Sequence, residues 1–291
     1  MDRTRQIIFL VFILTAISQF SSWAGSEVVQ EKGGGLIDWT AGIVEARGVG
    51  SPRKYQYDES IEIGPNTIDA AKNKARHNLL ETLVKIRIND DYRVIDIIEN
   101  YPTIMAKLKE MVYEAPELAN NRRYLSDGTV EVWAQVSLRG GFLQLMLPPE
   151  IRQIESIKQV SPNKSVAIAR KFPPSEQIFS GLIVDARGVQ LTPALSPKIL
   201  DENHDEVFGP AFVSREFAVQ HGMVSYMNQI RRAQIDERVF GNPLVVKAIR
   251  AVGPGRCDLV ISNAHAAKLK RASEHLVFLK ECRVIIVTDP L

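Results

Sequence analysis

Two nearly identical heptapeptides, 140 residues apart, constrain this chain more than any other feature. Ile43-Val44-Glu45-Ala46-Arg47-Gly48-Val49 and Ile183-Val184-Asp185-Ala186-Arg187-Gly188-Val189 share an apolar start, an acid, a small residue, an arginine, then glycine and valine. Each reads as a strand running into a turn or bulge where glycine is wanted. On a strand Glu45 and Arg47, and likewise Asp185 and Arg187, fall on one face. They pair with each other or across to a neighbouring strand. The segments downstream differ, so the repeat marks two starts of a sheet and not a duplicated domain. Two modules are also what the length requires, because about 265 residues beyond a leader exceed one ordinary core.

In the first module, residues 36–150, Trp39 to Val49 is the opening strand. Ile68, Ala71, Ala75, Leu79, Leu83 and Ile86 recur at steps of three and four, an amphipathic helix with Asn66 as its cap. Its other face, Lys72, Lys74, Arg76, His77 and Glu81, reads as solvated. A second helical stretch from Tyr92 to Tyr113 must break near Asn100, because Pro102 cannot continue it. Asp127-Gly128 is a hairpin turn signal, and strict alternation through Val130, Val132, Ala134, Val136 and Leu138 gives the returning strand. Strand, helix, helix, hairpin makes a two-layer α+β unit.

The order of these motifs is similar to a known family. A strand with Glu45-Ala46-Arg47-Gly48 comes first, then an Ala-rich helix ending Asn78-Leu79-Leu80-Glu81, then Val84-Lys85-Ile86-Arg87-Ile88. A second helix and Tyr124-Leu125-Ser126-Asp127-Gly128-Thr129-Val130-Glu131-Val132 complete it. The module resembles the bacterial envelope-lipoprotein domain related to the N-terminal domain of flagellar assembly protein T, over about 110 of 291 residues. The resemblance implies a non-catalytic envelope module that packs against other envelope or flagellar proteins, in some members around the basal body. The lipid-bearing cysteine of the lipoprotein members is missing here.

Residues 151–178 carry Ser161-Pro162-Asn163 and Pro173-Pro174-Ser175, and read as a proline-rich linker. Ser161-Pro162-Asn163-Lys164 fits Ser-x-x-Lys only formally, because a proline replaces the helix start that pattern needs. The second module, residues 179–291, opens with the second heptapeptide. A hairpin turns around Asn203-His204-Asp205. Phe212 to Val219 alternates like a strand, and Met223 to Ala233 has helical spacing, with Gly222 between them. Leu244–Val252 and Cys257–Ser262 form a hairpin through Gly253-Pro254-Gly255-Arg256. A helix capped by Asn263 and a buried strand from Cys282 to Thr288 follow, which predicts a parallel β-α-β crossover. The fold class is therefore α+β, two small two-layer modules.

No catalytic set stands out. Asp201, Glu202, His204 and Asp205 could be drawn as metal ligands, but their spacing fits no calcium loop and suits a polar turn. Ser214, His221 and Ser225 lack a Gly-x-Ser-x-Gly elbow and an orienting acid. Gly253-Pro254-Gly255-Arg256 lacks the ending of a phosphate loop. We therefore expect no enzyme, no cofactor and no metal. The alternative is a periplasmic enzyme or small-ligand receptor using His221, His265 or Arg256 in a cleft of the second module. Cys257 and Cys282 both begin strands, and a parallel crossover would let them form a disulfide.

Residues 1–24 settle the expected compartment. Arg3 and Arg5 precede an apolar run from Ile7 to Ile17, and Ser22-Trp23-Ala24 is a small-x-small cleavage site. The run is too short to span a bilayer, which needs about 20 apolar residues. Gly25 to Gly35 then reads as a loose mature terminus, and no mature transmembrane segment follows. The 36 Lys+Arg against 34 Asp+Glu give +2, which argues against nucleic acid as a partner. The expectation is an exported periplasmic or envelope protein.

Overall fold

Antiparallel pairing organises the first module and mixed pairing the second. The computed structural model describes residues 28–52, 65–118, 121–147, 151, 178–271 and 273–291. The leader, Ser161 to Lys164 and nearly all of the proline-rich join lie outside them. Helices and two sheets give the α+β class the sequence predicts.

The five-stranded sheet has the order β1 (Val29–Lys32), β2 (Gly35–Asp38), β3 (Ile43–Gly50), β5 (Val130–Ser137), β4 (Arg123–Tyr124). Residues 29–32 are thus a strand and not the loose terminus expected. Gly33 and Gly34 stand at φ 63° and 87°, the two positive values a tight hairpin loop needs. Helix α1 (Pro65–Val84) lies across β3 and buries Ala71, Ala75, Leu79 and Leu83 completely. Burying each leucine contributes about 2 kcal/mol. The approach is close because a β-carbon on Gly48 would overlap the Ala71 carbonyl and the Ala75 nitrogen. Helices α2 (Val94–Asn100) and α3 (Pro102–Tyr113) meet at Tyr101, the break that Pro102 imposes. A short α4 (Gly141–Met146) follows β5.

The seven-stranded sheet has the order β8 (Glu206–Phe208), β7 (Ile199–Leu200), β11 (Asp258–Ile261), β10 (Leu244–Val252), β6 (Leu182–Asp185), β12 (Val284–Val287), β9 (Ser225–Met227). Strands β10, β6, β12 and β9 are parallel neighbours, and β11 is antiparallel to β10. The final strand-helix-strand, through α7 (Asn263–Arg271) and α8 (Ser273–Lys280), therefore joins strands of opposite direction with two others between them. It is not the parallel crossover expected. That connection instead runs from β9 through α6 (Ile230–Gln234) to β10. The preceding stretch also reverses expectation: Arg215–His221 is helix α5, and Ser225–Met227, inside the helical spacing, is a strand. Gly222, at φ 80°, is the boundary between them as predicted.

The modules dock directly. Their buried side chains form one contiguous core that includes Trp39 and Leu79 of the first and Val184, Tyr226 and Ile286 of the second. Leu195 and Ser196 donate their N–H groups to the carbonyls of Arg87 and Ile88 at 3.0 and 2.7 Å. The Asp90 carboxylate accepts the N–H groups of Gly255 (2.9 Å) and Cys257 (3.3 Å). Trp39 meets Tyr226 edge-on, with ring centroids 5.6 Å apart. The Tyr226 hydroxyl donates to Ala194 O at 2.8 Å and accepts Ala194 N–H at 3.0 Å.

Candidate functional site

Where the modules meet, a cleft of about 590 Å³ collects side chains from separate segments. The first module supplies Thr40 from the β2–β3 turn and Arg139 from the corner after β5. The second supplies Phe217 and His221 from α5, Ser225 and Met227 from β9, Arg232 of α6, and Asp236, Glu237 and Arg238 after it. Glu281, Cys282 and Arg283 close it from the turn before β12. Arg139 is held in place by its chain neighbour, because Gly140 N–H donates to Val219 O at 2.8 Å. The Phe217 and His221 rings stack at 6.3 Å with an interplanar angle of 28°.

The charges of this cleft are unequally committed. Arg238 donates to the carbonyls of Gly222 (3.2 Å), Cys282 (2.8 Å) and His221, so it fastens the C-terminus of α5 to the start of β12. Burial lowers its pKa to about 10, and the neighbouring Arg139 cation acts in the same direction. Arg283 pairs with Glu281 at 3.0 Å. Asp236 accepts the Arg238 N–H at 2.9 Å. Arg139 and Arg232 form no ion pair among the described residues.

The residues singled out from the sequence do not assemble into a catalytic set. His221 and Ser225 share the cleft, while Ser214 begins α5 with its N–H on Lys280 O at 3.0 Å. The histidine that does meet a serine is His265, whose Nδ1 lies 3.0 Å from Ser262 Oγ. Ser262 Oγ also accepts the His265 N–H at 3.3 Å, so Ser262 caps α7 in place of Asn263. Asn263 instead exchanges two hydrogen bonds with Glu202. Asp201 accepts the N–H groups of Asn203 and Asp205, both at 3.0 Å, and pairs with Lys270 at 3.2 Å. His204 sits at φ 67° in that turn, 3.4 Å from Arg250. The polar-turn reading accounts for every one of these groups. Arg256 donates to Val189 O at 3.0 Å. Among the described residues no three His, Cys, Asp or Glu side chains are grouped as metal ligands.

Cys257 and Cys282 are free, buried thiols. They precede β11 and β12, which run in opposite directions, so they lie toward opposite ends of the sheet. Two intervening strands add about 14 Å of lateral separation, against the 7 Å or less that a disulfide needs. Burial pushes both pKa values up to about 12, which keeps the thiols protonated and inert.

A second surface lies on the open face of the five-stranded sheet. Register places Leu36 beside Glu45 and Arg47 beside Trp133, with Val49 on the same face. These residues line a groove of about 880 Å³ that reaches Lys74 and Asn78 of α1 over the edge of β3. Leu36 and Val49 are 45 % and 41 % exposed. Arg47 and Glu131 pair across the face at 2.9 Å, and Arg123 sits over Trp133 at 5.4 Å. The basic side of α1 is less idle than predicted: Lys72 pairs with Glu117 at 2.8 Å and Arg76 covers Tyr113.

Residues 181–290 match the family described as Treponema pallidum Tp0624, second domain. The matched stretch runs from just before β6 to beyond β12. It therefore takes in the whole seven-stranded sheet and leaves the five-stranded one outside. No curated protein matches the chain.

Proposed function

We propose that this protein is an exported, non-catalytic component of the bacterial cell envelope with a structural or assembly role. In this reading the open face of the five-stranded sheet meets its partners. That face carries the proposal, because Leu36, Val49 and Trp133 present apolar surface in a groove rimmed by Arg47, Glu45 and Lys74. Mixed apolar and charged surface of this kind is what protein interfaces use. The leader and the resemblance of the first module to envelope-lipoprotein domains point the same way, and extend the reading to flagellar basal-body components. Docking through one shared core makes the two modules a rigid spacer. Among the described residues no helix is long and apolar enough to cross a membrane.

Photo-crosslinking in intact cells tests this. A crosslinker placed at Val49 of the full chain is expected to capture an envelope or basal-body protein. The same group at Asp69, outside the groove, is expected to capture much less. Recovery of no envelope component from position 49 would reject the proposal.

A further inference from the structure

The cleft between the modules has a chemistry that a spacer does not need. Arg238, Arg283, Asp236 and Glu281 are already committed to carbonyls, to each other or to backbone N–H groups. What remains is a pair of arginines, Arg139 and Arg232, one from each module. Beside them are the Phe217–His221 ring stack, the Ser225 hydroxyl, the Thr40 hydroxyl, which accepts the Val28 N–H at 3.0 Å and keeps its own proton to donate, and the Glu237 carboxylate. Two guanidinium groups without carboxylate partners are matched by a planar or tetrahedral oxyanion. Hydroxyls and a carboxylate are matched by the hydroxyl groups of the same ligand. A stacked ring pair offers an apolar platform for a ring. The volume of about 590 Å³ lies in the range of small-molecule sites, and module junctions are where such sites form.

We infer that this cleft binds a small hydroxylated oxyanion, of the sugar-acid or sugar-phosphate class, held between Arg139 of the first module and Arg232 of the second. Arg139 lines the cleft with its guanidinium lying against Gly42, and the backbone that carries it is fixed by the Gly140–Val219 hydrogen bond. Its charge already opposes that of Arg238, so an anion there relieves a repulsion between two cations. Because each module contributes one arginine, the bound molecule also braces the junction. This inference does not depend on the open sheet face. A protein that crosslinks from Val49 yet fails to bind the probes would lose only the cleft site.

Calorimetric titration of the full chain with glucose 6-phosphate and glucuronate decides it, with glucose as the uncharged control. Saturable binding of at least one anionic sugar is expected, and glucose is expected to bind at least about tenfold more weakly. The phosphorylated probe and the carboxylated one distinguish the two sources of the oxyanion. Arg139→Ala and Arg232→Ala should each weaken binding by about tenfold or more, with unchanged thermal unfolding in the absence of ligand, since neither makes an ion pair here. Arg47→Ala, on the open face of the other sheet, should bind as the parent does. No saturable binding of either anion overturns the inference, as does binding that both arginine variants retain.

Discussion

The two copies of the heptapeptide have almost the same side chains and opposite surroundings. The first becomes β3, where Gly48 lies flat in the strand under α1. The second becomes β6 in the middle of a parallel quartet, and Gly188 leaves the sheet at φ 84° with nothing within 4 Å of its missing β-carbon. In one copy glycine is required for the room it leaves, and in the other for the backbone angle it permits. The charges part in the same way. Arg47 reaches across strands to Glu131 at 2.9 Å, whereas Arg187 folds back on Asp185 with contacts of 2.8 and 2.9 Å. A local sequence therefore proposes a strand, and its neighbours decide what each residue is for.

The sharpest way to break this comparison is at the glycines. Gly48→Val must lift α1 from β3 and should cost about 3 kcal/mol or more, seen as a large fall in thermal midpoint or loss of folded protein. Gly188→Ala should cost only about 1 kcal/mol, the penalty of a left-handed angle in open space. Equal losses in urea unfolding would mean that the two glycines do the same job.

Next in size is the contact that joins the modules carrying the two copies. Asp90→Ala leaves the buried N–H groups of Gly255 and Cys257 without their acceptor, at about 2 to 3 kcal/mol. If the modules are one cooperative unit, fluorescence and far-ultraviolet dichroism should still report a single transition, shifted to lower urea. Two separated transitions would instead mean that each copy of the heptapeptide organises an independent core.

Much of each module was legible before its surroundings were known, and the reason is range. The Pro102 break, the Asp127-Gly128 hairpin, the Ala71–Leu83 stripe and the strand Leu244–Val252 rest on periodicity and turn chemistry within a few residues. Two misreadings are local, the Gly33-Gly34 hairpin taken for a loose terminus and the Ser262 cap assigned to Asn263, and the larger ones depend on distant partners. Arg215–His221 became helix and Ser225–Met227 strand, while Ile230–Gln234 kept its helical spacing; Tyr226 is fixed in the strand by Ala194 and Trp39, more than 30 residues away. The final crossover turned antiparallel because β10 and β6 lie between β11 and β12, and strand order is not written in local spacing. Arg139 and Arg232 carried no local signal, since they line one cleft only when the modules dock. Gly42 and Gly140, both at positive φ around the Arg139 corner, were the nearest available hint.

The smallest effects test the acids of the two copies, which shift in opposite directions. The Arg187 hydrogen bonds hold Asp185 below the ordinary carboxylate range, with Lys247 adding to the effect. Glu45 is raised, by burial first and then by the neighbouring Asp38 carboxylate. A lowered folded pKa contributes stability above the ordinary value near 4, and that contribution disappears as pH falls through the folded pKa. A raised one contributes below the ordinary value and is lost as pH rises through the folded pKa. Asp185→Asn should therefore cost about 1 to 2 kcal/mol at pH 7, with the cost shrinking as the pH falls below about 4. Glu45→Gln should be neutral or stabilising by no more than about 0.5 kcal/mol at pH 7, because its site is partly exposed. Thermal midpoints of both variants across pH 3 to 7 read the two signs directly. If the variants change in the same direction, the matched acids share an environment, and the contrast between the two copies rests on the glycines alone.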